Sequence, residues 1–143
     1  MIEYQKILDK NMLNVFKDIL KNIKDNGLSN KNHLYITFLT NHKNVELPNW
    51  LKQKYPQEMT IIIQYEYYDL EINKNNFSIT LSFGDIKTNL KINYNAIVSF
   101  ADPSANFGLI LQKSKIQKKV NKKLETNISK KDNVINFSNY KKN

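Results

Sequence analysis

The hydrophobic period of this chain changes once, at Gly27, and that change dictates a helix followed by a sheet. Before it, Tyr4, Ile7, Leu8, Val15, Phe16, Ile19, Leu20 and Ile23 recur at three- and four-residue spacing, with Lys10, Asn14, Lys17, Asp18, Lys21 and Asn22 between them. That is the pattern of an amphipathic helix. It is expected to end near Asp25, with Gly27 as the left-handed residue that follows. The apolar stripe is broad enough for either of two uses, packing on the chain's own core or self-association.

After Gly27 the period falls to two. His33–Thr40 is rich in β-branched and aromatic residues, and Glu58–Gln64, Tyr67–Asn73, Phe77–Phe83, Ile86–Ile92 and Ala96–Ala101 read as further strands. Alternation is cleanest in Phe77–Phe83, where Phe77, Ile79, Leu81 and Phe83 point inward and Ser78, Thr80 and Ser82 outward. The breaks carry turn chemistry: Lys74-Asn75-Asn76, Gly84-Asp85, Asn93-Tyr94-Asn95 and Asp102-Pro103-Ser104. Pro48 opens a short helical turn through Lys54, and Phe107–Leu111 supplies a closing strand. The expected class is α+β, mainly β, with a small antiparallel sheet curled into a partial barrel.

Charge separates the chain into two parts. Residues 1–112 hold 12 Lys against 11 Asp and Glu, whereas residues 113–143 hold 10 Lys against Glu125 and Asp132. A nucleic-acid-binding body should carry a basic face, and a near-neutral one has no excess charge to build it from. Between Lys113 and Lys131 only isolated apolar residues occur among lysines, a composition that favours disorder. Apolar residues then return at Val134-Ile135-Asn136-Phe137-Ser138-Asn139-Tyr140, which reads either as chance or as a short docking motif.

Catalytic chemistry has little material. There is no cysteine, His33 and His42 lack any zinc-ligand spacing, and Gly27, Gly84 and Gly108 stand alone rather than in a phosphate loop. Glu66, Asp69 and Glu71 cluster, but on a strand they read as a solvated hairpin surface. The longest apolar run, Ile61-Ile62-Ile63, is far too short to span a bilayer, and Met1–Lys10 lacks the continuous apolar stretch of a signal peptide. A cytoplasmic binding module without metal or cofactor is expected. An open barrel can hold an extended peptide by main-chain hydrogen bonds. Gln64, Tyr65, Tyr67 and Tyr68 suit such a groove, or else are strand packing. An Sm-like or OB-like barrel stacking RNA on the same tyrosines is the alternative.

Several segments, in order, resemble one family. Tyr35–Thr40, the run Tyr55-Pro56-Gln57-Glu58-Met59-Thr60 continuing to Gln64, Asp69-Leu70, and Phe100-Ala101-Asp102-Pro103-Ser104 with Phe107-Gly108-Leu109 are similar to the stringent starvation protein B (SspB) family, especially its α-proteobacterial branch. The resemblance implies an SH3/Sm-like barrel in a homodimeric adaptor. Such an adaptor binds the ssrA degradation tag and hands tagged proteins to the ClpXP protease.

It further implies a tag-binding domain over residues 1–112, with a dimerisation helix at 1–26 and the barrel at 33–112. A flexible linker at 113–133 and a ClpX-docking tail at 134–143 would follow. The implied groove residues are Gln64 for backbone pairing, Phe83 and Phe100 as apolar wall, Gly84 and Ala101 for close approach, and Asp102 as rim polarity. The implied hook on ClpX is Val134, Ile135, Phe137, Tyr140 and Lys141. The implied dimer interface is Tyr4, Leu8, Val15, Phe16, Ile19 and Ile23. No membrane and no specific nucleic acid is expected as partner.

Overall fold

The computed structural model describes residues 1–64 and 66–112. Helix α1 (Tyr4–Asn26) is followed by β1 (Leu34–Leu39), the short helix α2 (Asn49–Lys54), β2 (Glu58–Ile63), β3 (Tyr68–Ile72), β4 (Asn76–Phe83), β5 (Ile86–Asn93), β6 (Ile97–Asp102) and β7 (Phe107–Ile110). The fold is thus the expected helix followed by antiparallel strands. Gly27 does take a positive φ of 74°, but with an extended ψ of −174° rather than the left-handed helical value. Only glycine reaches that region readily. Its N–H donates to the Ile23 carbonyl at 2.8 Å and closes the helix.

The strands form two sheets, one ordered β2-β1-β6-β7 and the other β3-β4-β5. Every pairing is antiparallel. Burial alternates with the pleat: Leu34, Ile36 and Phe38 from β1, Met59, Ile61 and Ile63 from β2, and Phe77, Ile79 and Leu81 from β4 all face one shared core. An isolated bridge between Glu46 and Lys91 ties the loop after β1 to β5.

Two irregularities adjust the pleat. The β1–β6 register shifts between Thr37 and Phe38, so that β6 carries one extra residue and buries the consecutive pair Ile97 and Val98. In β3 the register shifts between Tyr68 and Glu71, where Asp69 adopts a positive φ of 53°. The outward hydroxyls of β4 depart from expectation. Ser78 and Thr80 are buried, and Thr80 accepts from Asn89 Nδ2 at 3.0 Å across the sheet.

Helix α1 packs on both sheets through Phe16. That ring meets Phe77 at 5.8 Å, Phe100 at 5.9 Å and Tyr94 at 6.5 Å between centroids, each edge to face. Met12, Leu20 and Ile23 complete the buried stripe. Nothing before Met12 is buried: residues 4–11 are exposed all round, including Tyr4, Ile7 and Leu8.

Candidate functional site

The outer face of the four-stranded sheet carries apolar residues where the pleat calls for polar ones. Tyr35 is paired with Ile62 on one side and Ala101 on the other, so the three form one row across β2, β1 and β6. Ile62 is 44% exposed and Tyr35 36%, and Ala101 is half-buried. The neighbouring row is Thr60, Thr37 and Ser99, and the two threonine hydroxyls lie 2.7 Å apart. Among the described residues β2 has β1 as its only strand neighbour, which makes it an edge. Gln64 is half-buried immediately after β2, where the chain leaves one sheet to start the other.

This arrangement suits an extended segment. An edge strand offers main-chain donors and acceptors at a fixed spacing, and a flanking row of exposed Ile and Tyr adds apolar contact area. The sequence signal for the row was present but easily passed over. Tyr35 and Ile62 stand at the polar phase of otherwise alternating strands, within Leu34-Tyr35-Ile36 and Ile61-Ile62-Ile63.

The six implied groove residues do not form one surface. Gln64 and Ala101 belong to the outer face and edge just described. Phe100 and Asp102 sit on the opposite side of the same strand, because consecutive strand residues alternate. Phe100 is core, packed on Phe16 and on Phe107, so it is no wall of an outer groove. Asp102 is only 8% exposed and is not a rim residue. It accepts hydrogen bonds from Asn32 Nδ2 at 2.9 Å and Ser104 Oγ at 2.6 Å.

Phe83 and Gly84 lie at the β4–β5 hairpin. Phe83 meets Trp50 of α2 edge to face at 6.0 Å, beside the exposed Ile86, and Trp50 drew no attention in the sequence. Gly84 has φ 64° at the first central position of the two-residue turn, the requirement of a type II′ hairpin. A Cβ built there would meet nothing within 4 Å, so the glycine serves the turn.

The implied dimer residues also divide. Phe16 and Ile23 are buried within their own chain, which removes them from any surface a second copy could touch. Tyr4, Leu8 and Val15 are exposed and Ile19 is half-buried; these four share one helix face beside the buried stripe. Below that face, α1 and residues 27–34 and 100–107 enclose a cleft of about 490 Å³ lined by Val15, Ile19, Leu28, Phe107, Asp18 and Asp102 among others. The implied hook, Val134, Ile135, Phe137, Tyr140 and Lys141, and the linker 113–133 lie outside the described residues.

Reactive groups are dispersed. His33 Nδ1 is 3.3 Å from the Lys31 carbonyl, and His42 Nδ1 accepts from the Asn44 N–H at 3.1 Å. Glu71 pairs with Lys24 at 3.4 Å, and Asp69 faces Thr80 at 3.5 Å. Among the described residues no three His, Asp or Glu side chains converge on a metal position. Among the described residues the perturbed proton is that of Tyr94, whose phenol is pushed above its ordinary value by burial and donates to the Asn73 carbonyl at 2.9 Å.

A helix packed on two antiparallel sheets, with an apolar outer row beside the β2 edge, has the features of a fold that could accept an extended polypeptide. The family model for stringent starvation protein B matches residues 6–142, and the chain belongs to that family, which is one of protease adaptors rather than enzymes. Among curated proteins, none matches the chain. No helix among the described residues is long and apolar enough to cross a membrane.

Proposed function

We propose that this chain is a cytoplasmic adaptor that holds the ssrA tag extended along the edge of β2 and delivers tagged proteins to ClpXP. The observation that carries the reading is the open β2 edge beside Ile62 and Tyr35, in a member of an adaptor family. Main-chain pairing with Thr60–Ile63 supplies affinity, the Gln64 amide pairs with one further peptide group, and Ile62 with Tyr35 covers an apolar tag side chain. Val134–Lys142 is assigned the docking on ClpX. Two chains paired through Tyr4, Leu8, Val15 and Ile19 present two tags and two hooks, which raises the local concentration of substrate at the protease.

Fluorescence anisotropy of a labelled ssrA-type peptide tests the reading. The full chain binds it, and Gln64→Ala weakens binding by roughly threefold to tenfold, the loss of one hydrogen bond. Ile62→Asp weakens it further. Removal of residues 134–143 leaves peptide affinity unchanged while abolishing enhanced degradation by ClpXP. A full chain that does not bind the peptide overturns the tag assignment.

A further inference from the structure

Helix α2 and the tip of the β4–β5 hairpin together expose a large apolar rim. Trp50 is 41% exposed and Ile86 58%, and half-buried Phe83 joins them, its ring edge to face with Trp50 at 6.0 Å. Phe83 and Ile86 are the last cross-strand pair before the turn, in phase with buried Leu81 and Leu90. The rim is therefore the core's own apolar surface continued past the end of the three-stranded sheet. None of the three residues belongs to β2 or to its sheet. Large apolar side chains gathered at one exposed place, tryptophan above all, are the anchors of protein contacts.

Charge decides what covers it. Residues 49–54 and 83–87 hold Lys52, Lys54 and Lys87 against Asp85, whereas the rest of residues 1–112 hold nine lysines against ten carboxylates. All four of these charged side chains are exposed, and none forms an ion pair among the described residues. Lys54 stands one helical turn from Trp50 on the same face of α2, and Lys87 follows Ile86. A second copy of the rim would bring the same lysines. The chain's own terminal apolar run ends in Lys141 and Lys142, so it too is repelled. We propose that the rim docks a segment of another protein in which one large apolar side chain is flanked by carboxylates. The apolar side chain packs between Trp50 and Ile86, and the carboxylates face Lys52, Lys54 and Lys87. This surface stands independently of the tag reading above, because it shares no residue with the β2 edge.

Trp50 is the chain's single tryptophan, so its fluorescence reports the rim itself. The probe is a short peptide free of tryptophan and tyrosine, with one phenylalanine between two pairs of glutamates. It is titrated into the full chain up to about 1 mM, the range of a weak site. Covering the half-exposed indole moves its emission saturably to shorter wavelength. The same peptide with lysine for glutamate, or with serine for phenylalanine, leaves the emission in place. Ile86→Asp keeps the reporter and weakens binding by roughly tenfold or more, the scale of a lost central anchor. Lys52→Glu/Lys54→Glu weakens it by roughly twofold to fivefold. Ile62→Asp, which disables the β2 edge, leaves the titration unchanged. An emission that stays fixed up to about 1 mM overturns the proposal, as does an equal response to the lysine peptide or in Ile86→Asp. Loss of the response in Ile62→Asp puts the peptide on the β2 edge and overturns it equally. A chain that binds the tag but gives no such shift loses this inference alone.

Discussion

Phe16 and Phe100 meet edge to face, ring centroids 5.9 Å apart, inside a single chain. The family resemblance implies a dimer interface for the first, in the middle of α1, and a groove wall for the second, on β6. Their contact assigns both to stability. Phe16 also touches Phe77 and Tyr94, so it joins the helix to both sheets at once.

Phe16→Ala is therefore expected to destabilise the fold by about 3–5 kcal/mol, the range for a buried phenylalanine that leaves a cavity. That is a large share of the roughly 5–15 kcal/mol that holds a domain of this kind together. Urea denaturation of wild type and variant at one fixed protein concentration measures it. A loss under about 1 kcal/mol would mean that α1 does not pack on its own barrel.

Gly84→Ala separates a turn role from a ligand role. The backbone at φ 64° disfavours any Cβ, while nothing lies within 4 Å for that Cβ to strike. The expected loss is about 1 kcal/mol of stability, from backbone strain alone. Affinity for the tag peptide should not change. A variant of unchanged stability with weakened peptide binding would return Gly84 to the binding surface.

Much of this architecture is legible in the sequence because it depends on period. The switch at Gly27, the alternation of Phe77–Phe83 and the turn residues between runs all report local geometry. What is not legible depends on phase. Phe100, Ala101 and Asp102 are adjacent in sequence and were expected in one groove, yet a pleated strand sends Ala101 to one face and its two neighbours to the other. The extra residue at Ile97–Val98 has no composition that announces it. On α1, two adjacent stripes are equally apolar. Only the position of the barrel decides that Met12, Phe16, Leu20 and Ile23 are covered and Tyr4, Leu8 and Val15 are not.

Tyr94 gives the fold an alkaline limit. Burial holds its phenol neutral, so its pKa in the folded state lies above the ordinary value of 10.0. In the unfolded chain the phenol ionises first, and the unfolded state then binds fewer protons than the folded one. The slope of stability with pH is negative in that window. The contribution is fully present below about pH 10 and is lost as pH rises toward the folded pKa. Tyr94→Phe removes the hydrogen bond to the Asn73 carbonyl, at about 1 kcal/mol near neutral pH, and flattens the decline above pH 10. Thermal unfolding of both proteins from pH 8 to pH 11 reads the difference, and parallel curves would place the alkaline sensitivity elsewhere.

The exposed start of α1 yields the last expectation. Tyr4, Ile7 and Leu8 stand clear of their own barrel on a helix that continues into it, so they are held rigidly without being buried. Exposed apolar residues scattered singly need no explanation, but Tyr4, Leu8 and Val15 share a face and run into the cleft below Ile19. Leu8→Asp places a carboxylate in that row and removes nothing from the protomer's core. The protomer should keep its stability within about 0.5 kcal/mol per chain, the usual range for a surface substitution. If two chains pair through this face, light scattering at micromolar concentration gives a wild-type mass near twice that of one 16.9 kDa chain. The Leu8→Asp mass then falls to that of one. A wild type that is already monomeric removes the pairing, and a variant that stays dimeric moves it to another surface.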